Sequence, residues 1–194
     1  MCNEDAIELV RQAQAEVPGA LDRLCDRWLP TVLGWTLRLG GPRIDAEDAA
    51  HDVFLVLFRR LGSLEEPRSF SSWLFGITRR VVAGHRRRAW VRRWLPGAVP
   101  DRTDPSLDPS DRAAQSDVAD QVWAAIESLP GHQREVLVLC DLEERSDSEV
   151  AEMLGIPKNT VKSRLRRARA ALRAQVSELA TDLPAAEAAA GGPR

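Results

Sequence analysis

The stretch from Leu95 to Arg112 decides how this 194-residue chain can be built. Pro96, Pro100, Pro105 and Pro109 recur there among Gly, Ser and Asp, a composition that interrupts any helix and cannot bury a core. The segment reads as a flexible linker at 96–113. It divides the chain into two small units, residues 1–95 and 114–180, and an Ala-, Gly- and Pro-rich tail at 181–194 reads as disordered.

Both flanks carry helical periodicity, and neither shows convincing strand alternation. Upstream, Leu24, Cys25, Trp28, Val32, Trp35 and Leu39 recur at helical spacing, with Pro30 predicted to kink the run and Gly40-Gly41-Pro42 to end it. A second helix opens near Asp45, places Glu47 and Asp48 where acids favour the helix dipole, and turns Ala49, Val53, Val56 and Leu57 inward. Gly62 to Ser69 reads as a loop, and Phe70, Trp73, Leu74, Ile77 and Val81 mark a third long helix. Downstream, Val118, Val122, Ala125, Ile126 and Leu129 predict a helix stopped by Pro130-Gly131, and Val136, Leu137, Leu139 and Cys140 predict the next. Two more meet at Gly155-Ile156-Pro157. The expected fold class is all-α: two small helical domains joined by a flexible linker, the C-terminal one a four-helix domain containing a helix-turn-helix.

The formal net charge of −2 is a cancellation. RRVVAGHRRRAWVRR at 79–93 and KNTVKSRLRRARAALR at 158–173 are basic and free of acids, while Asp101, Asp104, Asp108, Asp111, Asp117 and Asp120 make an acidic stretch between them. A second acidic stretch holds Asp141, Glu143, Glu144, Asp147, Glu149 and Glu152. No apolar run approaches the length of a membrane span and the first residues are polar, so a cytoplasmic protein is expected. Cys2, Cys25 and Cys140 are far apart with no Cys-x-x-Cys pair, which argues against structural zinc and disulfides; no cofactor is expected. Cys25 and Cys140 read as small buried hydrophobes.

The segment SDSEVAEMLGIPKNTVKSRLRRARAAL contains the parts of a helix-turn-helix. Ser146 and Glu149 stand at capping-box spacing, Val150 and Leu154 face inward, and Ala151 is small where two helices cross. Gly155 permits the turn, and Pro157 suits the first positions of the next helix. There Val161, Leu165, Ala168 and Leu172 line one face, and Lys158, Lys162, Arg166, Arg169 and Arg173 another. A recognition helix offers its N-terminal side chains to base edges, which nominates Lys158, Asn159, Thr160, Lys162, Ser163 and Arg164 for readout, with Arg166, Arg167 and Arg169 on phosphates. A solvated basic face with no nucleic acid is the plainer alternative, but capping, turn and docking face coincide with it in position.

These residues resemble a known family. SLPGHQREVLVLCDLE followed by SEVAEMLGIPKNTVKSRLRRAR is similar to the fourth conserved region of extracytoplasmic-function sigma factors, of the sigma-70 family. Upstream, DAEDAAHDVFLVLFRRL resembles the family's polymerase-binding helix and FSSWLFGITRRVVAGHRRR its promoter-opening segment. The resemblance implies a factor without catalytic activity that binds core RNA polymerase and promoter DNA, under the control of an anti-sigma factor. By matched position it places Asp45, Asp48, His51 and Asp52 on the polymerase-facing surface, where acids suit a basic partner. It assigns Arg68, Arg79, Arg80, His85, Arg86, Arg87 and Arg88 to the minus-10 element and strand opening, beside a 61–70 loop that holds a flipped base. It assigns Lys158, Asn159, Thr160, Lys162, Ser163, Arg164 and Arg167 to the minus-35 element. Trp73 fits the core better than a base-stacking wedge.

Some positions depart from the pattern. His51 stands where the family usually has Gln, Arg80 where it has Asn and Gly84 where it has Asp, while Glu144, Arg145 and Asp147 replace Gly, Leu and an aromatic. The last three predict an altered turn before the helix-turn-helix, with Leu142, Val150 and Leu154 keeping the core. A free-standing helix-turn-helix regulator would not need the first unit. An enzyme is disfavoured by scattered His51, His85 and His132 and the lack of a Gly-rich phosphate loop. The charge blocks further predict that the aspartates of the linker lie on the 79–93 stripe in the free protein.

Overall fold

The computed structural model describes residues 4–94 and 123–182, all of whose regular elements are helices. The linker expected at 96–113, its aspartates, and the tail from 183 lie outside the described residues.

The N-terminal group contains α1 (Glu4–Gln14), α2 (Ala20–Gly40), α3 (Ala46–Arg60) and α4 (Phe70–Trp94). α1 was not anticipated from sequence, although Ala6, Val10 and Ala13 are buried at helical spacing along it. α2 continues through Pro30, which is exposed, so the ring points away from the core. It ends at Gly41, whose φ of 70° is one that L side chains avoid. α3 is capped by Asp45, whose carboxylate accepts from the Asp48 N–H at 2.9 Å. The loop expected at 62–69 contains two short 3₁₀ turns, Leu61–Ser63 and Pro67–Ser69.

These helices bury Leu24, Trp35, Val53, Leu57, Leu74 and Phe75 completely, and each such side chain contributes about 1.5–3 kcal/mol through removal of apolar surface from water. Trp35 meets Phe75 edge-on at 5.1 Å, and Trp28 meets Phe70 at 5.2 Å. Val56 is only partly buried, whereas Ala50 and Phe54 face the core.

The C-terminal group contains α5 (residues 123–128), α6 (Gly131–Leu137), α7 (Asp147–Leu154) and α8 (Lys158–Asp182). Arg134 holds the first two elements together. The residue is 7% exposed, and its guanidinium donates to the carbonyls of Ile126, Glu127 and Leu129 at 3.0, 2.8 and 2.9 Å, satisfying groups that the end of α5 leaves without helical partners. After α6 the chain winds one wider π turn, Val138–Leu142. This corrects the expectation for Leu142: the wider turn buries Val136, Leu137, Val138 and Leu139 in succession and rotates Leu142 outward, where it is 44% exposed.

Candidate nucleic-acid interface

The helix-turn-helix is assembled by local chemistry. Ser146 Oγ accepts from the Glu149 N–H at 3.3 Å, and the Glu149 carboxylate accepts from the Ser146 N–H at 2.9 Å and its hydroxyl at 2.8 Å. Those bonds, the backbone one first, hold the Glu149 carboxyl below the usual carboxylate range. α7 ends at Gly155 with φ 63°, and the Ile156 N–H returns to the Ala151 carbonyl at 3.0 Å, the hydrogen bond of a Schellman turn. Pro157 precedes α8 rather than sitting inside it: its carbonyl accepts from Thr160 and Val161, so it caps the helix while its missing N–H costs nothing.

Val150, Val161 and Ala168 are fully buried and Leu165 nearly so, which docks α8 on α7 and turns the opposite face outward. Lys158, Asn159, Lys162 and Arg167 are exposed there, and Thr160, Ser163 and Arg164 are half-buried. Lys158 Nζ donates to Ser148 Oγ at 2.8 Å, and Ser163 Oγ to the Thr160 carbonyl at 3.0 Å. Lys162, Arg166, Arg169 and Arg173 line an open cleft of about 370 Å³ with Asp147. Arg169 is engaged by a two-pronged bond to Asp141, at 3.0 and 2.6 Å.

Glu144, just before α7, has a φ of 54°. At this position, where the family pattern has Gly, the glutamate takes the left-handed conformation that glycine favours.

The second basic stripe is less uniform in space than in sequence. Arg80, Arg87 and Arg88 are exposed on α4, and Arg68 is exposed on the turn before it. His85, expected on the DNA face, is instead 7% exposed, and its Nε2 lies 2.8 Å from Asp52 Oδ2 on α3. Asp52 also faces Arg88 at 3.6 Å. Asp45, Asp48 and His51 are exposed on the same helix, so the structure places the expected polymerase-facing residues together.

Arg86 donates to the Gly40 carbonyl at 2.9 Å, closing the C-terminal end of α2, and faces Glu127 of α5 at 3.7 Å. Arg79 faces Glu135 of α6 at 3.5 Å. Glu127 is also 3.0 Å from Arg43, and Arg38 pairs with Glu143. Two members of the predicted DNA set therefore face carboxylates of the C-terminal group. Charge runs could not reveal this, because the partners lie far apart in sequence.

Trp73 packs on Phe70 at a ring distance of 5.9 Å and is half-buried. The indole nitrogens of Trp28 and Trp35 are buried without a hydrogen-bond partner. The Cys25 and Cys140 thiols are half-buried, and burial, the largest cause, pushes both up to about 11, which leaves them unreactive near neutral pH. Among the described residues no helix is long and apolar enough to cross a membrane.

Residues 24–92 match the family described as Sigma-70 region 2, and residues 119–172 match Sigma-70, region 4. The ECF RNA polymerase sigma factor SigE of Mycolicibacterium smegmatis is 34% identical over 82% of this chain, which spans 62% of that relative. The ferric citrate uptake sigma factor FecI of Escherichia coli is 31% identical, over 70% of this chain and 76% of its own length. CnrH, solved in complex with the cytosolic domain of CnrY, shares the fold with a TM-score of 0.67 and 24% identity, over 89% of this chain and 97% of that one.

Proposed function

The chain belongs to the sigma-70 family, in its extracytoplasmic-function branch, and we propose that it directs promoter-specific transcription initiation by binding core RNA polymerase. The observation that carries this reading is the pairing, in order along one chain, of a region 2 match bearing a basic helix with a region 4 match bearing a basic recognition helix. Residues 1–95 form the polymerase-binding and minus-10 unit, and residues 114–180 the minus-35 unit, with 96–113 between them.

In this reading Lys158, Asn159, Thr160, Lys162, Ser163 and Arg164 read the minus-35 element and Arg167 holds phosphate. Arg68, Arg79, Arg80, Arg86, Arg87 and Arg88 meet the minus-10 element and the opened strand, and His85 acts from within the interface by fixing Asp52. Asp45, Asp48, His51 and Asp52 face polymerase. The chain performs no covalent chemistry itself, works in the cytoplasm, and takes an anti-sigma factor as its inhibitory partner.

Reconstitution with core polymerase tests the reading. Specific transcript starts should appear only when both are present, and the isolated chain should bind promoter DNA weakly. Tight, specific binding by the isolated chain without stimulation of transcription would replace it with a free-standing regulator.

A further inference from the structure

α1 stands outside residues 24–92, the part of the chain that matches Sigma-70 region 2, yet a polar side chain ties it to that part. Gln14, its last residue, donates through Nε2 to the Leu61 carbonyl at 3.0 Å and to the Leu64 carbonyl at 2.7 Å. Both amide hydrogens are spent on carbonyls of one turn, so the nitrogen of the amide, and not its oxygen, faces the loop. The Leu61 carbonyl also receives the Leu64 N–H at 3.2 Å, which makes Gln14 a brace across a single 3₁₀ turn. α1 does not depend on this brace for its own place, because Val10 and Ala13 are buried and the helix packs on α2 as well as on the Pro67–Ser69 turn.

The braced segment is a rim set on anchors. Leu61, Leu64 and Phe70 are buried, while Gly62, Ser63, Glu65, Arg68 and Ser69 between them are exposed. Within the rim Glu66 accepts from the Arg68 N–H at 3.2 Å, a bond that shapes the second turn but does not hold the first. The support for the first comes from Gln14, 47 residues away in sequence.

We propose that Gln14 is a positioning residue for promoter recognition: by holding the Leu61–Leu64 turn it fixes the groups that the rim presents to a base of the opened strand, and so sets how sharply the minus-10 element is discriminated. This role rests on the reading of Arg68 and its loop as part of the minus-10 surface. A base taken out of the stack is read by hydrogen bonds to its edge, and such bonds discriminate only where their protein partners are held to within about 0.5 Å. Groups on an exposed loop reach that precision when side chains behind them fix the backbone, which is where Gln14 stands. It touches no base, and its effect passes through Leu61 and Leu64. A loop released from the brace still binds the strand, since Arg68 and the arginines of α4 hold phosphates whatever the sequence, but it prefers one base over another less strongly.

The test uses the full chain bound to core polymerase, with single-stranded oligonucleotides that carry the minus-10 element of a promoter identified by its transcript starts, each base of the element replaced in turn. Gln14→Met keeps the length of the side chain and removes both donors, and Gln14→Lys returns donors to the same two carbonyls; each variant is first checked for the parent's helicity. The parent holoenzyme should prefer the promoter's own base at one position or more. Gln14→Met should reduce that preference at least about threefold, the scale of one lost hydrogen bond, with the preference for the minus-35 element on duplex templates unchanged. Gln14→Lys should recover most of what is lost. An unchanged preference in Gln14→Met would overturn the proposal, and so would an equal loss of affinity for every oligonucleotide, which is the mark of a merely structural role. A parent holoenzyme without base preference anywhere in the element would instead overturn the minus-10 reading of the loop on which the role of Gln14 depends.

Discussion

His85 Nε2 sits 2.8 Å from Asp52 Oδ2, joining the helix assigned to strand opening to the helix assigned to polymerase. His85 is 7% exposed whereas the Asp52 side chain is 40% exposed, so the bond fixes a surface acid from beneath. Asp52→Ala and His85→Ala should show a coupling of about 1 kcal/mol in a double-mutant cycle by urea unfolding, the scale of a partly exposed hydrogen bond. Additive losses would mean that the two side chains act independently.

Arg134 has more to lose. It serves three carbonyls at the end of α5, and burial, ahead of the nearby Arg86, lowers its guanidinium to about 10, a cost that the bonds must offset. Arg134→Met keeps much of the packing volume and removes all three donors. It should cost about 3 kcal/mol in chemical denaturation, comparable to breaking a buried ionic group's contacts.

Much of this architecture was legible because it is local. Helix periodicity, the Ser146–Glu149 box and the Gly155 turn are encoded within a few residues, and each appears where the spacing puts it. The π turn was not legible, since a run of four apolar residues, Val136–Leu139, fits no single helical face and the extra residue that accommodates it displaces Leu142. Nor was α1, whose small Ala6 and Ala13 give a faint stripe. At the candidate interface the exposed basic face of α8 followed from sequence, but the division of the 79–93 stripe did not. His85, Arg79 and Arg86 meet Asp52, Glu135 and Glu127, at separations that no local pattern records.

Glu144 offers a stabilising change. A non-glycine residue at φ 54° carries backbone strain, while glycine adopts that conformation freely, a gain partly offset by the greater entropy that glycine gives the unfolded chain. Glu144→Gly should therefore raise stability by about 0.5–1 kcal/mol and shift the thermal midpoint upward by a few degrees. A lower midpoint would show that the glutamate side chain contributes more than its backbone costs.

Two glutamates should give opposite responses to acid. Burial raises the Glu135 carboxyl above its ordinary 4.5, against the opposing effects of Arg79, Arg164, His132 and Arg134, whereas bonds from Ser146 lower that of Glu149. For Glu135 the folded state takes up the proton first. Stability at this site is lowest where the carboxyl is charged and rises as pH falls through the raised folded value towards 4.5. For Glu149 the contribution is present above 4.5 and is lost as pH falls through the depressed folded value. Accordingly the parent should gain stability relative to Glu135→Gln as pH is lowered from 7 towards 4.5. Its advantage over Ser146→Ala, about 1 kcal/mol at neutral pH, should hold across that range and shrink only below it. Urea unfolding of the three proteins across pH separates the two effects, and parallel curves for parent and Glu135→Gln would remove the burial of Glu135 as their cause.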